Sequence, residues 1–87
     1  VENLTLTGTG DFSGTGNDEN NTITGNSGNN ILDGAGGQDT LNGGDGNDTL
    51  TETGNNNTLN GDAGQDTITA TGDGNTLNGG DDVDTLI

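Results

Sequence analysis

An Ile or Leu recurs at every ninth residue over most of this chain: Ile23, Leu32, Leu41, Leu50, Leu59, Ile68, Leu77 and Leu86, with no slot missed. A helix brings apolar side chains to one face at spacings of three and four, and a strand at spacings of two. A period of nine belongs to neither element alone. It belongs to a stacked repeat in which each unit lends one apolar side chain to a core shared with its neighbours. The units are GNDENNTIT (16–24), GNSGNNILD (25–33), GAGGQDTLN (34–42), GGDGNDTLT (43–51), ETGNNNTLN (52–60), GDAGQDTIT (61–69), ATGDGNTLN (70–78) and GGDDVDTLI (79–87). Each reads as a six-residue turn followed by a three-residue strand whose middle side chain points inward. One apolar residue in nine cannot close a core from one side, but two successive units facing each other can. The reading is therefore all-β: two short-stranded parallel sheets with 18 residues per coil, four coils over 16–87, and rungs about 4.7–4.9 Å apart.

Charge decides what such a fold can do. Asp and Glu number 15, Lys, Arg and His are absent, and the formal charge is −15. With 21% hydrophobic residues, this composition also suits a disordered polyanion, but disorder requires no aliphatic residue in every ninth place. An all-acidic balance argues against nucleic acid and anionic membrane surfaces, which need basic residues. No cysteine is present, so disulfides and thiolate metal sites are excluded. No segment is apolar enough to insert in a membrane and no signal peptide is visible. Without His, Lys, Arg, Cys or Tyr, triads, Schiff bases and near-neutral general bases are missing, so no enzyme is expected. Paired carboxylates could cleave glycosides, but the repeat arranges them as ligands. The chain begins at Val1 without Met and stops just after Thr85-Leu86-Ile87, which reads as a piece of a larger polypeptide without its C-terminal cap.

The missing counter-charge points to metal cations. In Gly43–Thr51, GGDGNDTLT, closely spaced glycines bend the chain so that peptide carbonyls face one point, and Asp48 adds a charged oxygen there. Oxygen-only ligands on a tight loop suit a hard cation, Ca²⁺ above all. These residues closely resemble the RTX (repeats-in-toxin) calcium-binding repeat GGxGxDxUx, with U a large aliphatic residue. The resemblance covers 16–87, and Gly43–Thr51 meets every fixed position. It implies a right-handed parallel β-roll (a β-solenoid) in which each Ca²⁺ sits between turns eighteen residues apart. The first turn would give the carbonyls of positions two and four and its position-six Asp; the next turn would give the carbonyls of positions one and three and its own Asp.

Carried onto this chain, the best site joins Gly44, Gly46 and Asp48 to Gly61, Ala63 and Asp66. A second joins Asp62, Gly64 and Asp66 to Gly79, Asp81 and Asp84. A third uses Asn26, Gly28 and Asn30 with Gly43, Asp45 and Asp48, and is weakened by Asn30 in place of a carboxylate. The opposite edge departs further, with Asn21, Asp39, Asn57 and Asn75 at position six and with Glu52 and Ala70 replacing the leading glycine. Asp39 is expected to hold at most a partial site there, and the Asn residues to stack in amide ladders.

Residues 1–15 form an N-terminal strand and an irregular lead-in or cap. Leu4 and Leu6 alternate with polar neighbours, yet counting back in nines puts Thr5 at the inward position, so an insertion or deletion lies in 7–15. Phe12 is expected to cover one end of the core. The resemblance implies a calcium-binding structural module of a secreted, extracellular bacterial protein, exported by type I secretion and folding on Ca²⁺ outside the cell. The alternatives are an ice-binding face built from outward Thr and Asn ladders, and adhesion to surface glycans through bridging calcium.

Overall fold

A computed structural model describes residues 2–87, so Val1, at the head of the lead-in, lies outside the described residues. Ten strands follow in chain order: β1 (Glu2–Thr5), β2 (Ser13–Thr15), β3 (Asn21–Thr24), β4 (Ile31–Asp33), β5 (Thr40–Asn42), β6 (Thr49–Thr53), β7 (Thr58–Asn60), β8 (Thr67–Thr71), β9 (Thr76–Asn78) and β10 (Thr85–Leu86). They alternate between two five-stranded sheets, β1-β3-β5-β7-β9 and β2-β4-β6-β8-β10. All pairing is parallel. Ile23 pairs with Leu41, Leu41 with Leu59 and Leu59 with Leu77; Leu32 pairs with Leu50, Leu50 with Ile68 and Ile68 with Leu86. The chain is a β-solenoid of about five turns, one more than its eight repeats supply, because the lead-in contributes β1 and β2. Among the described residues there is no helix, and so none long and apolar enough to cross a membrane.

Alternation along each strand puts one residue inside and its neighbours outside. Ile23, Leu32, Leu41, Leu50, Leu59 and Ile68 are fully buried and form the core. Eight buried side chains were expected. Leu77 is only partly buried against this cluster and Leu86 is 46% exposed, because the last coil is covered on one side alone.

The register slip expected in 7–15 is an insertion. Leu4, not Thr5, pairs with Ile23, and Gly14 pairs with Leu32. Leu4 and Gly14 are ten residues apart where the repeat has nine, so the extra residue lies in the loop between β1 and β2. Gly14 is buried at an inward position, and a β-carbon there would lie 3.1 Å from Leu4 Cδ2. The missing side chain thus makes room for Leu4. Leu6, two residues on, also packs against the core. Phe12 does not cover the core: it is 47% exposed and lies beside Gly10.

The outer face of the first sheet carries an amide ladder. Asn60 Nδ2 donates to Asn42 Oδ1 at 2.8 Å, and Asn78 Nδ2 donates to Asn60 Oδ1 at 2.8 Å. The ladder expected on the turn edge, from Asn21, Asn57 and Asn75, is not formed there: Asn21 bonds within its own turn to Asn17, and Asn57 Nδ2 has no partner.

Candidate metal centre

Turns 25–30, 43–48, 61–66 and 79–84 line one edge of the solenoid, and turns 16–21, 34–39, 52–57 and 70–75 line the other. Their last side chains are tied together one coil apart. On the first edge the backbone N–H of Asn30 donates to Asp48 Oδ1 at 2.7 Å, that of Asp48 to Asp66 Oδ1 at 2.8 Å and that of Asp66 to Asp84 Oδ1 at 2.8 Å. On the second, Asn21 donates to Asp39 Oδ1 at 2.6 Å, Asp39 to Asn57 Oδ1 at 2.6 Å and Asn57 to Asn75 Oδ1 at 2.8 Å. Asp and Asn serve this ladder equally, because only one side-chain oxygen is used. The other oxygen separates them. Asp48 Oδ2, Asp66 Oδ2 and Asp39 Oδ2 are buried without any partner, a costly state for a carboxylate unless a proton or cation joins it.

Backbone carbonyls converge on the same gaps. A β-carbon on Gly43 would sit 2.5 Å from Asp48 Oδ2 and 2.9 Å from the Gly61 carbonyl oxygen; one on Gly61 would meet Asp66 Oδ2 and lie 2.8 Å from the Gly79 carbonyl. Leading carbonyls therefore point back toward the Asp of the preceding turn. Position-four carbonyls point forward, so that a β-carbon on Gly46 would lie 2.5 Å from the Gly28 carbonyl, and one on Gly64 would overlap that of Gly46. Only glycine permits this approach, and both residues also have positive φ, +97° and +110°. The position-two carbonyls of Asn26 and Asp62 likewise face Gly44 and Gly80.

The gap between turns 43–48 and 61–66 thus gathers the Gly46 and Gly61 carbonyls and Asp48 Oδ2, while Asp66 reaches it through Oδ1 and turns Oδ2 toward the Gly79 carbonyl of the next gap. The Gly44 carbonyl also lies there and accepts the Ala63 N–H at 3.1 Å. The next gap repeats the pattern with Asp62, Asp66, Gly79 and Asp84, and the Asp81 N–H donates to the Asp62 carbonyl at 3.0 Å. Gly64 precedes Asp66 in this gap's first turn.

The third expected set is poorer. The Asn26 N–H donates to Asn30 Oδ1 at 2.8 Å and Asn30 Nδ2 donates to Asn26 Oδ1 at 2.9 Å, so the Asn30 amide is engaged within its own turn. Gly28, Gly43 and Asp48 line this gap, and Asp45, whose expected share is its backbone carbonyl, is exposed at the side chain.

Charge repulsion is unrelieved, since no cationic side chain exists to oppose it. Burial pushes the Asp48 carboxyl up from 3.8 to about 6 against the lowering effect of the Asn30 N–H, and the charges of Asp66, Asp62 and Asp45 raise it further. Burial also raises Asp66, opposed by the Asp48 N–H and reinforced by Asp84, Asp62 and Asp82. Among the described residues no three acidic side chains cluster as a metal site. The donor set is two carboxylates with main-chain oxygens, which fits a hard divalent ion of flexible coordination.

Sequence reasoning missed one acidic residue. The repeat alignment makes Glu52 only a replaced glycine, yet it is fully buried with both carboxylate oxygens unpartnered. Burial first, then the Asp39 charge beside it, pushes its carboxyl from 4.5 up to about 8. The period-2 count from Leu50 would have found it, because residue 52 falls on the inward face of a strand that continues.

The family description "RTX calcium-binding nonapeptide repeat" matches the chain in four copies, over residues 15–50 and 53–86. No curated protein and no solved structure matches it.

Proposed function

This chain belongs to the RTX calcium-binding nonapeptide repeat family, a structural repeat that binds Ca²⁺ and not an enzyme family, and from that premise we propose that it is a calcium-dependent folding module of a larger secreted bacterial protein. The observation that carries this reading is the buried, partnerless Oδ2 atom on both Asp48 and Asp66. Gly46, Asp48, Gly61 and Asp66 would hold the best-formed ion, with Gly44 and Ala63 completing the two turns. Asp62, Gly64, Asp66, Gly79, Asp81 and Asp84 would hold the next. Calcium, when bound, would supply the positive charge that these paired carboxylates lack.

The chain's own residues divide the work. Asp66 orders the backbone through Oδ1, which receives the Asp48 N–H, and keeps Oδ2 for the gap. Gly46 and Gly61 let carbonyls approach from opposite directions, so that turns one coil apart face each other with oxygen. Folding is then linked to binding, since the ligands are brought together only when the coils stack. Extracellular calcium modules bind at about 10⁻⁴–10⁻³ M, well above resting cytosolic levels, so the module would remain extended inside the cell and become rigid outside.

Isothermal titration calorimetry, with circular dichroism on the same samples, tests the reading. Calcium binding in the millimolar range or tighter, accompanied by a gain of β signal, supports it. Absence of binding at millimolar calcium, or binding to a chain whose spectrum never changes, rejects it.

A further inference from the structure

The second edge lacks an acid where the first has one. Across the gap between turns 34–39 and 52–57, position six is Asp39 on one side and Asn57 on the other. Asn57 Oδ1 accepts the Asp39 N–H at 2.6 Å, which leaves Asn57 Nδ2 buried and unpartnered. Asn57 brings no charge, and its free side-chain atom is a donor, which no cation can use.

Glu52 begins the same turn. With no glycine to end the strand, β6 continues to Thr53, and the two-residue period from Leu50 turns Glu52 inward. A β-carbon on Gly34 would overlap Glu52 Oε2 and lie 2.7 Å from Asp39 Oδ2. Glu52 and Asp39 therefore converge beside Gly34 on the spot that, beside Gly43, is shared by Asp48 Oδ2 and the Gly61 carbonyl. The coil spreads to admit the longer side chain. Gly34 N–H reaches the Thr51 carbonyl at 3.4 Å, whereas the matching bonds of Gly16, Gly25, Gly43 and Gly61 are 2.8 Å. Three buried carboxylate oxygens, Glu52 Oε1 and Oε2 and Asp39 Oδ2, have no partner.

The geometry points to a further divalent-cation site formed by Asp39 and Glu52, in which the leading position of the turn supplies the carboxylate that Asn57 lacks. It rests on the reading of the roll as a calcium-binding module. Two buried carboxylates balance a dication, and their hard oxygens suit Ca²⁺. The Gly37 carbonyl, near Gly54 across the gap, is within the same turn pair as a neutral oxygen.

Glu52→Gly tests the site without disturbing the repeat, since glycine leads most other turns. Native mass spectrometry at saturating calcium should count one ion fewer on Glu52→Gly than on the parent chain. Equal counts overturn the site. A second measurement needs no variant: with ¹³C-labelled glutamate the chain has three side-chain carboxyl signals, from Glu2, Glu19 and Glu52. Calcium should move the Glu52 signal and leave it that of an ionised carboxylate. A Glu52 signal unmoved by calcium, or one that stays that of a protonated acid sharing its proton with Asp39, overturns the site. A parent chain that binds no calcium at all overturns both the site and the function proposed for the whole roll, and equal ion counts on parent and Glu52→Gly overturn the site alone.

Discussion

The backbone N–H of Asp48 donates to Asp66 Oδ1 at 2.8 Å across one full coil, while the second oxygen of each carboxylate is buried with no partner. One atom of Asp66 thus holds two rungs in register and the other faces the gap between turns. These two roles can be separated by substitution.

Asp66→Asn keeps an oxygen for the Asp48 N–H but removes the charge. Calcium affinity should fall by on the order of tenfold or more, since ligand charge sets affinity in such sites. Asp66→Ala should cost a further ~1–3 kcal/mol by leaving a buried N–H unpaired. Calcium titrations followed by far-UV circular dichroism give both values. Equal midpoints for parent and Asp66→Asn would remove Asp66 from the ion site.

The pH dependence follows from the raised carboxyls. Burial, reinforced by the charges of Asp66, Asp62 and Asp45, raises Asp48 to about 6; burial, reinforced by Asp39 and Asp33, raises Glu52 to about 8. Between the ordinary values of 3.8 and 4.5 and these raised ones, the folded chain holds more protons than the unfolded chain. Its calcium-free stability is therefore greatest at the acid end of the window and is lost as pH rises toward 8. Calcium should reverse the trend, because its ligands must be ionised. In EGTA the chain should show more β structure at pH 5 than at pH 8, and calcium affinity should rise over the same interval. A calcium-free chain that gains structure as pH rises would contradict this sign.

Core substitutions should depend on place in the stack. Leu50 is fully buried between rungs and Leu86 is 46% exposed. Leu50→Ala should cost about 2–5 kcal/mol and move the calcium midpoint of folding upward strongly or abolish folding. Leu86→Ala should change stability by less than about 0.5 kcal/mol, as substitutions away from packed features do. Equal effects in a calcium titration would argue against the stacked core.

Gly64→Ala examines the carbonyl lining. Its φ is +110° and an added β-carbon would overlap the Gly46 carbonyl. The variant should lose at least ~1 kcal/mol from backbone strain alone and bind calcium more weakly at the Asp48–Asp66 gap. Unchanged binding by calorimetry would show that the Gly46 carbonyl takes no part.

Much of this architecture was legible because Ile23 to Leu86 mark the inward position of eight successive units, and period nine taken in pairs determines both sheets. The slip in the lead-in was legible too, because counting back in nines reaches Thr5 while Leu4 and Leu6 carry the apolar alternation; its place and direction were not, since nothing in TGTGDFS marks which residue is extra, and the pairing of Leu4 with Ile23 settles both. The amide ladder failed for a different reason. Asn57 has its copy at Asn75 and Asn60 its copies at Asn42 and Asn78, and recurrence alone does not say which amide meets its copy and which is used by a backbone N–H. Glu52 was hidden by the repeat itself, because alignment made it a lost glycine when the strand was simply longer. The carbonyl-lined gaps were read from the family pattern, and the glycine approaches are compatible with them.

Far-UV circular dichroism of the parent chain in EGTA and then in rising calcium, with bound metal counted by native mass spectrometry, bears most directly on the central claim that cations between turns do the work of a larger core. The chain should give a disordered spectrum at pH 8 in EGTA and gain β structure cooperatively as ions bind. An equally folded chain in EGTA, with no metal attached, would contradict it.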